Sequence, residues 1–488
     1  MRYNEIMIRL AILLIILLVM ALGLYRITKP VPSGVGVASP VYPVSAGSVL
    51  FLSDKTYTKA DGTRVREQEI FDTVFKLIRE ADSYVLVDMF LFNDLRGAAT
   101  TTYRSLSEEL VTTLIEKKKI SPDVTILLIT DPLNTIYGSY TSPQFAQLGE
   151  HGIEVILTDL TKLRDSNPLY SMVWRPILRY MPNIGGAWLP NMLDPQKPKV
   201  TLSSYLTLFN FKANHRKLIV ADSLHGTDRV WRTLVTSANP HDGSSEHSNI
   251  ALLVEGTALA SSVLTSEQAV AQMAEAAFLR PSIDTDADAE SSDISVQLLT
   301  ERAIKDAVLA GINRLERGDS INLVMFYLSD RDVIKALKRA ADRDVMVRII
   351  LDPNKDAFGR QKGGIPNRSV AHELIESSSN ISIRWCATNG EQCHSKMIIM
   401  KKESEADVIL GSANFTRRNL NNFNLETNVR LMGPVSTKAV SDAQAFFDTL
   451  WENRNGDIYS TPYETYAEDK VLKTLLYRFG EFTGLSTY

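Results

Sequence analysis

The chain has 488 residues, 44% of them hydrophobic and 23% charged, and a net charge of −4. This composition excludes a mainly disordered, collagen-like or multi-span membrane protein, and the mild acidity argues against a protein that coats nucleic acid. Two cysteines are too few for a disulfide framework or a four-cysteine zinc site, and at roughly 100–200 residues per domain the length predicts two to four domains.

The first predicted element is an apolar helix. Arg9 and Arg26 bracket 16 uncharged residues, LAILLIILLVMALGLY, positions 10–25. As a helix this run covers about 24 Å at about 1.5 Å per residue, against a bilayer core of about 30 Å. Ile6, Met7 and Ile8 extend it, and the arginines can snorkel. Residues 1–29 are therefore expected to be one uncleaved transmembrane anchor. Residues 30–47, with Pro30, Pro32, Pro40 and Pro43, read as a tether. The competing reading is a cleaved signal peptide, whose best site, Ala21-Leu22-Gly23, falls inside the apolar run. Arg2 and Arg9 precede the run while Arg26 and Lys29 follow it, so the flanking charge nearly balances and fixes orientation weakly.

Beyond residue 48 the chain repeats itself. DVTILLITDP from Asp123 and DVMVRIILDP from Asp344 are one block, 221 residues apart, and ADSYVLVDMF from Ala81 matches GDSINLVMFY from Gly318. Helical patterns, SLSEELVTTLIEKK and SDRDVIKALKRAAD, lie between these strands. Strand, amphipathic helix, strand predicts α/β structure in each half. The halves are expected at 48–280 and 296–455, joined by an acidic linker, 281–295, and followed by a C-terminal helical tail, 456–488. Two halves of common design predict packing about a pseudo-twofold axis, with one site built from both.

Each half carries the same chemical pattern. HRKLIVAD begins at His215 and HSKMIIMK at His394; each histidine has a lysine two residues on, Lys217 and Lys396, on the same face of a strand. Each motif is followed by Ser-Ala-Asn, giving Ser237 and Asn239 in one half and Ser412 and Asn414 in the other. One histidine can attack as nucleophile while the other protonates a leaving group. Two ammoniums and two amides can hold phosphoryl oxygens. This is a phosphodiesterase or phosphoryl-transfer pattern for which no metal or cofactor is expected. His225, His241, His151 and His372 lack such partners.

The first half is longer by about 49 residues ahead of His215. The segment 159–214 has seven cationic and three acidic residues, a net +4 that leaves −8 for the rest, and it is rich in aromatics. Such a mixture suits the boundary between headgroups and acyl chains, with Trp174, Arg175, Arg179 and Trp188 as candidate lipid contacts. An elaboration that merely covers a sheet edge is the competing reading; stacking on single-stranded nucleic acid uses the same residue types but is disfavoured by the acidic remainder and the anchor. Cys386 and Cys393 flank an Asn389-Gly390 turn signal. Outside the cytoplasm they would form a disulfide clamping the loop before His394, and in the cytosol they would be free thiols.

The paired motifs resemble the phospholipase D superfamily, which carries HxKxxxxD twice, each copy followed by G/S-x-N. The resemblance spans roughly residues 48–455. The first copy is complete, with His215, Lys217, Asp222, Ser237 and Asn239; the second has His394, Lys396, Gly411, Ser412 and Asn414 but Lys401 in place of the aspartate. The resemblance implies two α/β halves around one site, with the histidines and lysines carrying the chemistry and the aspartate mainly structural. It further implies His215 as nucleophile, forming a phosphohistidine, and His394 as general acid and then base, although the near symmetry does not decide this order. A carboxylate is expected to orient each histidine. Glu426 fits this pattern in the second half; alignment through Asn249 and Asn428 places His247 at the equivalent position in the first, with Glu246 beside it as the favoured carboxylate. The implied protein is a membrane-anchored phosphatidyltransferase, similar to cardiolipin synthases, with an extracytoplasmic catalytic body. Its partners would be a phospholipid, the cell membrane and an alcohol or water, without nucleic acid. Hydrolysis to phosphatidic acid and a tethered nuclease are the alternatives.

Overall fold

The computed structural model describes residues 2–97, 104–181, 186–283 and 292–486. Of the acidic segment expected at 281–295, residues 284–291 lie outside the described residues. Helix α1 (Arg2–Thr28) is largely apolar and exposed over most of its described residues, and near its C-terminal end Gly23 packs on Met172 of the insertion. Its stretch Asn4–Thr28, 25 residues with a mean hydropathy of 2.9, is long and apolar enough to cross a membrane.

The first half folds around eight strands: β1 (Val49–Thr58), β2 (Arg64–Glu67), β3 (Tyr84–Met89), β4 (Thr125–Thr130), β5 (Glu154–Leu157), β6 (Lys217–His225), β7 (Asp228–Thr236) and β8 (Asn249–Glu255). They are ordered β2-β1-β8-β7-β6-β3-β4-β5, with β3, β4 and β5 parallel and the other pairs antiparallel. The second half has β9 (Ser295–Thr300), β10 (Ser320–Met325), β11 (Met346–Leu351), β12 (Ile381–Cys386), β13 (Lys396–Lys402), β14 (Glu405–Gly411), β15 (Thr427–Pro434) and β16 (Ser460–Pro462). Their order is β9-β15-β14-β13-β10-β11-β12-β16, and Tyr42–Pro43 from the tether extends the sheet beyond β9. Seven strands therefore repeat in the same order and sense in both halves. The register of the repeat differs by one residue from the sequence match: Met89 pairs with Lys217 and Met325 with Lys396, so Phe90 corresponds to Phe326.

Helices cover the outer face of each sheet. Helix α2 (Ile70–Glu80) buries Ile70, Phe71, Val74, Phe75, Leu77 and Ile78, a stripe at three- and four-residue spacing. Helix α3 (Leu106–Ile120) lies beside it, and α4 (Pro143–Glu150) follows β4. Two further short helices, α5 (Pro168–Trp174) and α6 (Leu202–Leu208), belong to the insertion, and α7 (Thr257–Met273) ends the half. The second half repeats the scheme with α8 (Arg302–Asn313), α9 (Arg331–Ala341), capped by the Asp330 carboxylate, α10 (Asn367–Ile375) and α11 (Lys438–Glu452). The inner sheet faces share one hydrophobic core, in which Val220, Leu252 and Val254 join Met397, Val408 and Val429. Reciprocally, α7 packs on β9 and α11 on β1.

A buried ionic network crosses this interface. Arg216, between the two residues of the first motif, is fully buried and bonds Glu267 of its own half (2.7 Å) and Glu301 of the other (2.8 Å). Glu301 also accepts the Glu426 N–H at 2.9 Å. Removing one member of such a network strands buried charge. Arg216→Ala is expected to destabilise the protein by about 3–5 kcal/mol in denaturant unfolding; a loss below about 1 kcal/mol would show that the carboxylates find other partners.

Candidate active site

Both histidines sit two residues ahead of their strands, His215 before β6 and His394 before β13. The Asp-Pro blocks of the repeat hold them there. Asp131 accepts the N–H groups of Asn214 (2.7 Å) and Leu133 (2.7 Å), and Asp352 those of Cys393 (2.8 Å) and Asn354 (2.7 Å). Each histidine then donates its backbone N–H across the axis, His215 to Leu425 O (2.9 Å) and His394 to Ser248 O (2.8 Å). The rings pack on equivalent phenylalanines, His215 on Phe90 at 4.8 Å and His394 on Phe326 at 5.0 Å. Lys217 Nζ donates to His215 O at 2.8 Å and lies 5.1 Å from the Phe90 ring centre; Lys396 Nζ donates to His394 O and lies 5.0 Å from that of Phe326.

These groups meet at a cleft of about 390 Å³. His215, His394, Asn239 and Asn414 line its floor, with Lys362 and Arg418 beside them. The Asn414 Oδ1 is buried without a hydrogen-bond partner. One wall is apolar, formed by Leu133, Tyr137, Leu193, Leu208 and Phe211, the last three from the insertion. The insertion thus reaches the site, but not through the predicted residues. Trp174 is buried in the insertion, Arg175 is held by Asp165 (2.8 and 2.6 Å), Arg179 stacks on Tyr180 at 4.4 Å, and Trp188 is exposed away from the cleft.

The partners of the two imidazoles differ. Glu426 accepts the Nδ1–H of His215 at 2.9 Å, so this carboxylate, expected to serve its own half, crosses to the other. Its remaining oxygen capacity is filled by Ser412 Oγ and Asn419 Nδ2. At the twofold-related position stands an amide: Asn249 Oδ1 lies 3.2 Å from His394 Nδ1 and accepts from Ser237 Oγ at 2.9 Å. The Asn249 amide nitrogen donates to His247 O at 3.0 Å, which fixes the oxygen towards the imidazole. Glu246 takes no part, being paired with Arg66 at 2.7 Å. The loop from Ser237 to Asn249 spans 12 positions and that from Ser412 to Glu426 spans 14, so an ungapped match through Asn428 misses the equivalence by two.

The electrostatics favour an anion in the cleft. Burial, only partly offset by Glu426, lowers His215 to about 4. Burial lowers Lys217 to about 7, against the attraction of Glu426, Asp88 and Asp131. Burial and the neighbouring Lys396 push His394 well below its ordinary range, while burial and Lys217 do the same to Lys396. Burial opposes ionisation of Glu426, but His215 and Lys217 hold its carboxyl below the usual value.

Other predicted residues are structural. Asp222 accepts the N–H groups of Ser83 (3.0 Å) and Tyr84 (2.8 Å), tying β6 to the start of β3 at the end remote from the histidines. Its counterpart Lys401 lies at the matching, half-buried end of β13, paired with Ser320. Cys386 and Cys393 are joined in a disulfide that closes the loop before His394. Sequence reasoning missed His247 as a cleft residue. Its ring lies 5.9 Å from that of His394, its Nδ1 accepts the Gln392 N–H at 3.3 Å, and its Nε2 is buried without a partner. Burial and the adjacent His241 and Lys396 lower it to about 3, so it is neutral with its proton on Nε2.

Residues 308–451 match a family described as "Cardiolipin synthase, PLD-like domain", where PLD denotes phospholipase D. This second-half segment is thereby a phospholipase D-like domain. The protein is an enzyme. No curated protein matches it in sequence. Its fold is similar to that of phosphatidylserine synthase from Haemophilus influenzae Rd KW20, at 10% identity over 91% of this chain and 96% of that one, with a TM-score of 0.57. Weaker likenesses are to a polyphosphate kinase from Porphyromonas gingivalis (14% identity, 89% and 53% coverage, TM-score 0.43) and to Nuc, a phospholipase D family member from Salmonella typhimurium (24%, 34% and 97%, 0.27).

Two outcomes follow from this geometry. Burial lowers Lys217 to about 7 and a bound anion raises it again, so binding of inorganic phosphate at pH 8 will take up protons. Calorimetry in buffers of different ionisation enthalpy reads this directly; a buffer-independent heat would refute it. Asn249→Asp supplies the carboxylate that His394 lacks and raises its pKa. The alkaline limb of the kcat–pH profile should then move up by about one unit or more, whereas an unshifted profile would deny the protonated His394 a role in the rate-limiting step.

Proposed function

We propose that the protein is a membrane-anchored phosphatidyltransferase that moves a phosphatidyl group from a phospholipid to an alcohol. The observation that carries this reading is the cleft itself, with His215, His394, Asn239 and Asn414 on one side and the apolar wall of Leu193, Leu208 and Phe211 on the other. A phosphodiester joined to acyl chains matches both surfaces. The family match of the second half, and the phospholipid-synthesising enzyme whose fold is similar, support it.

His215 Nε2 attacks phosphorus while Glu426 holds its Nδ1–H, so the positive charge on the phosphorylated ring lies against a carboxylate. His394 gives its Nε2 proton to the departing alcohol oxygen as the P–O bond breaks. The substrate's negative charge keeps His394 protonated until then. In the second half-reaction the acceptor hydroxyl attacks phosphorus, His394 takes its proton, and the P–N bond to His215 breaks. Lys217, Lys396, Asn239 and Asn414 stabilise the non-bridging oxygens. The disulfide supports an extracytoplasmic catalytic body, and α1 supports a single-pass anchor.

Full-length protein in detergent, incubated with phosphatidylglycerol, is expected to yield cardiolipin and glycerol. His215→Ala and His394→Ala should each lower the rate by about 10³-fold or more. Phosphatidic acid as the sole lipid product would replace transfer by hydrolysis. Nucleotide release from single-stranded DNA without lipid turnover would overturn the lipid reading.

A further inference from the structure

The C-terminal helix α12 (Val471–Thr483) is amphipathic the wrong way round for a soluble body. It turns Tyr477, Gly480 and Glu481 inward. The Glu481 carboxylate accepts from Ser329 Oγ (2.7 Å) and Arg417 N (2.7 Å), and the Tyr477 hydroxyl accepts from Arg331 at 2.9 Å. Leu472, Leu475, Leu476, Phe479 and Phe482 form one stripe on the opposite face, and all point outward, Leu472 at 69% and Phe482 at 82% exposure. A surface helix ordinarily buries that stripe, and a contiguous exposed apolar patch marks an interaction site.

Its neighbours identify the occupant. Past the helix end, Gly484 has φ 78° and lies directly against the backbone of Ser166 and Asn167; a Cβ there would sit 1.7 Å from the Ser166 oxygen. This is the entry to α5, which exposes Leu169 and Val173, with Ile177 just beyond it. Met172 of α5 packs on Gly23 of α1, and Asp165 N donates to Arg26 O at 3.2 Å. One apolar surface therefore runs from the end of the anchor helix through α5 to α12. At its edge Lys29 and Arg164 place their hydrogen bonds on backbone carbonyls. Arg418 links this surface to the cleft, donating to Gly484 O at 3.2 Å and stacking on Phe211 at 5.1 Å.

We propose that α12 is an interfacial helix that lies in the membrane surface beside α1, its Leu472–Phe482 stripe among the acyl chains and anionic headgroups over Lys29 and Arg164. The bilayer then meets the protein at the mouth of the cleft, where Phe211 and Arg418 receive the lipid. This inference rests on α1 being a membrane span and is independent of the reaction catalysed.

Both native cysteines are disulfide-bonded, so single introduced cysteines in the full-length protein can carry nitroxide labels. The protein is reconstituted in phosphatidylcholine–phosphatidylglycerol vesicles with labels at Leu476→Cys and Leu472→Cys. Leu14→Cys in α1 serves as the lipid reference and the exposed Arg317→Cys as the water reference. At both α12 positions the ratio of oxygen to nickel-chelate accessibility should rise severalfold above Arg317→Cys, towards Leu14→Cys. Values equal to Arg317→Cys, with Leu14→Cys in lipid, would overturn the inference and spare the anchor. Water-like values at Leu14→Cys would overturn both. Shielding from both reagents with dipolar broadening would put a second copy on the stripe and also overturn it.

Discussion

The site is organised by an imbalance of charge. Two ammonium groups and two imidazoles are buried together, and among the described residues one carboxylate, Glu426, is hydrogen-bonded to them. Burying cations without counter-charge is unfavourable, and the depressed values of His215, Lys217, His394 and Lys396 express that directly. Lowered proton affinity keeps these four groups from building up positive charge together. A phosphoryl group supplies the missing negative charge, so binding and protonation are the same event. That Glu426 lies in the second half while His215 lies in the first also explains why the halves are fastened so tightly around it, through Arg216, Glu301 and the crossed backbone bonds.

The single carboxylate separates two otherwise equivalent histidines. Glu426 makes Nε2 of His215 the more basic nitrogen and places a negative charge beside that ring. Asn249 can hold the His394 ring in the same tautomer but offers no charge, leaving a more acidic imidazolium suited to passing a proton. Near-perfect structural symmetry thus yields unequal chemistry through one side chain.

Most of the fold was legible in the sequence, because its evidence is local. An apolar strand, an HxK at the strand's beginning and an Asp-Pro block are each readable over ten residues, and their recurrence 221 residues apart identified the halves. What was not legible depended on tertiary pairing. The two-residue difference between the Ser237–Asn249 and Ser412–Glu426 loops hid the Asn249 substitution and made Glu246 look like the partner. Trp174 has the composition of a lipid contact, yet a large aromatic in a compact insertion fills its core; Leu193, Leu208 and Phe211, less conspicuous in sequence, form the cleft wall. The spacing of α12 announces an amphipathic helix but cannot say which face is turned inward.

The shared core between the two sheets has a consequence for what counts as a unit. Each half resembles a domain in its strand order, yet its inner face is covered by the other half, and α7 and α11 each pack on the opposite sheet. A first half alone would expose Val220, Leu252 and Val254 and hold a His215 without its carboxylate; a second half alone would hold a carboxylate with no imidazole to orient. The protein is in effect a dimer written on one chain. A backbone cut within 284–291 should leave both pieces associated, while either piece expressed separately would have neither a closed core nor a complete site.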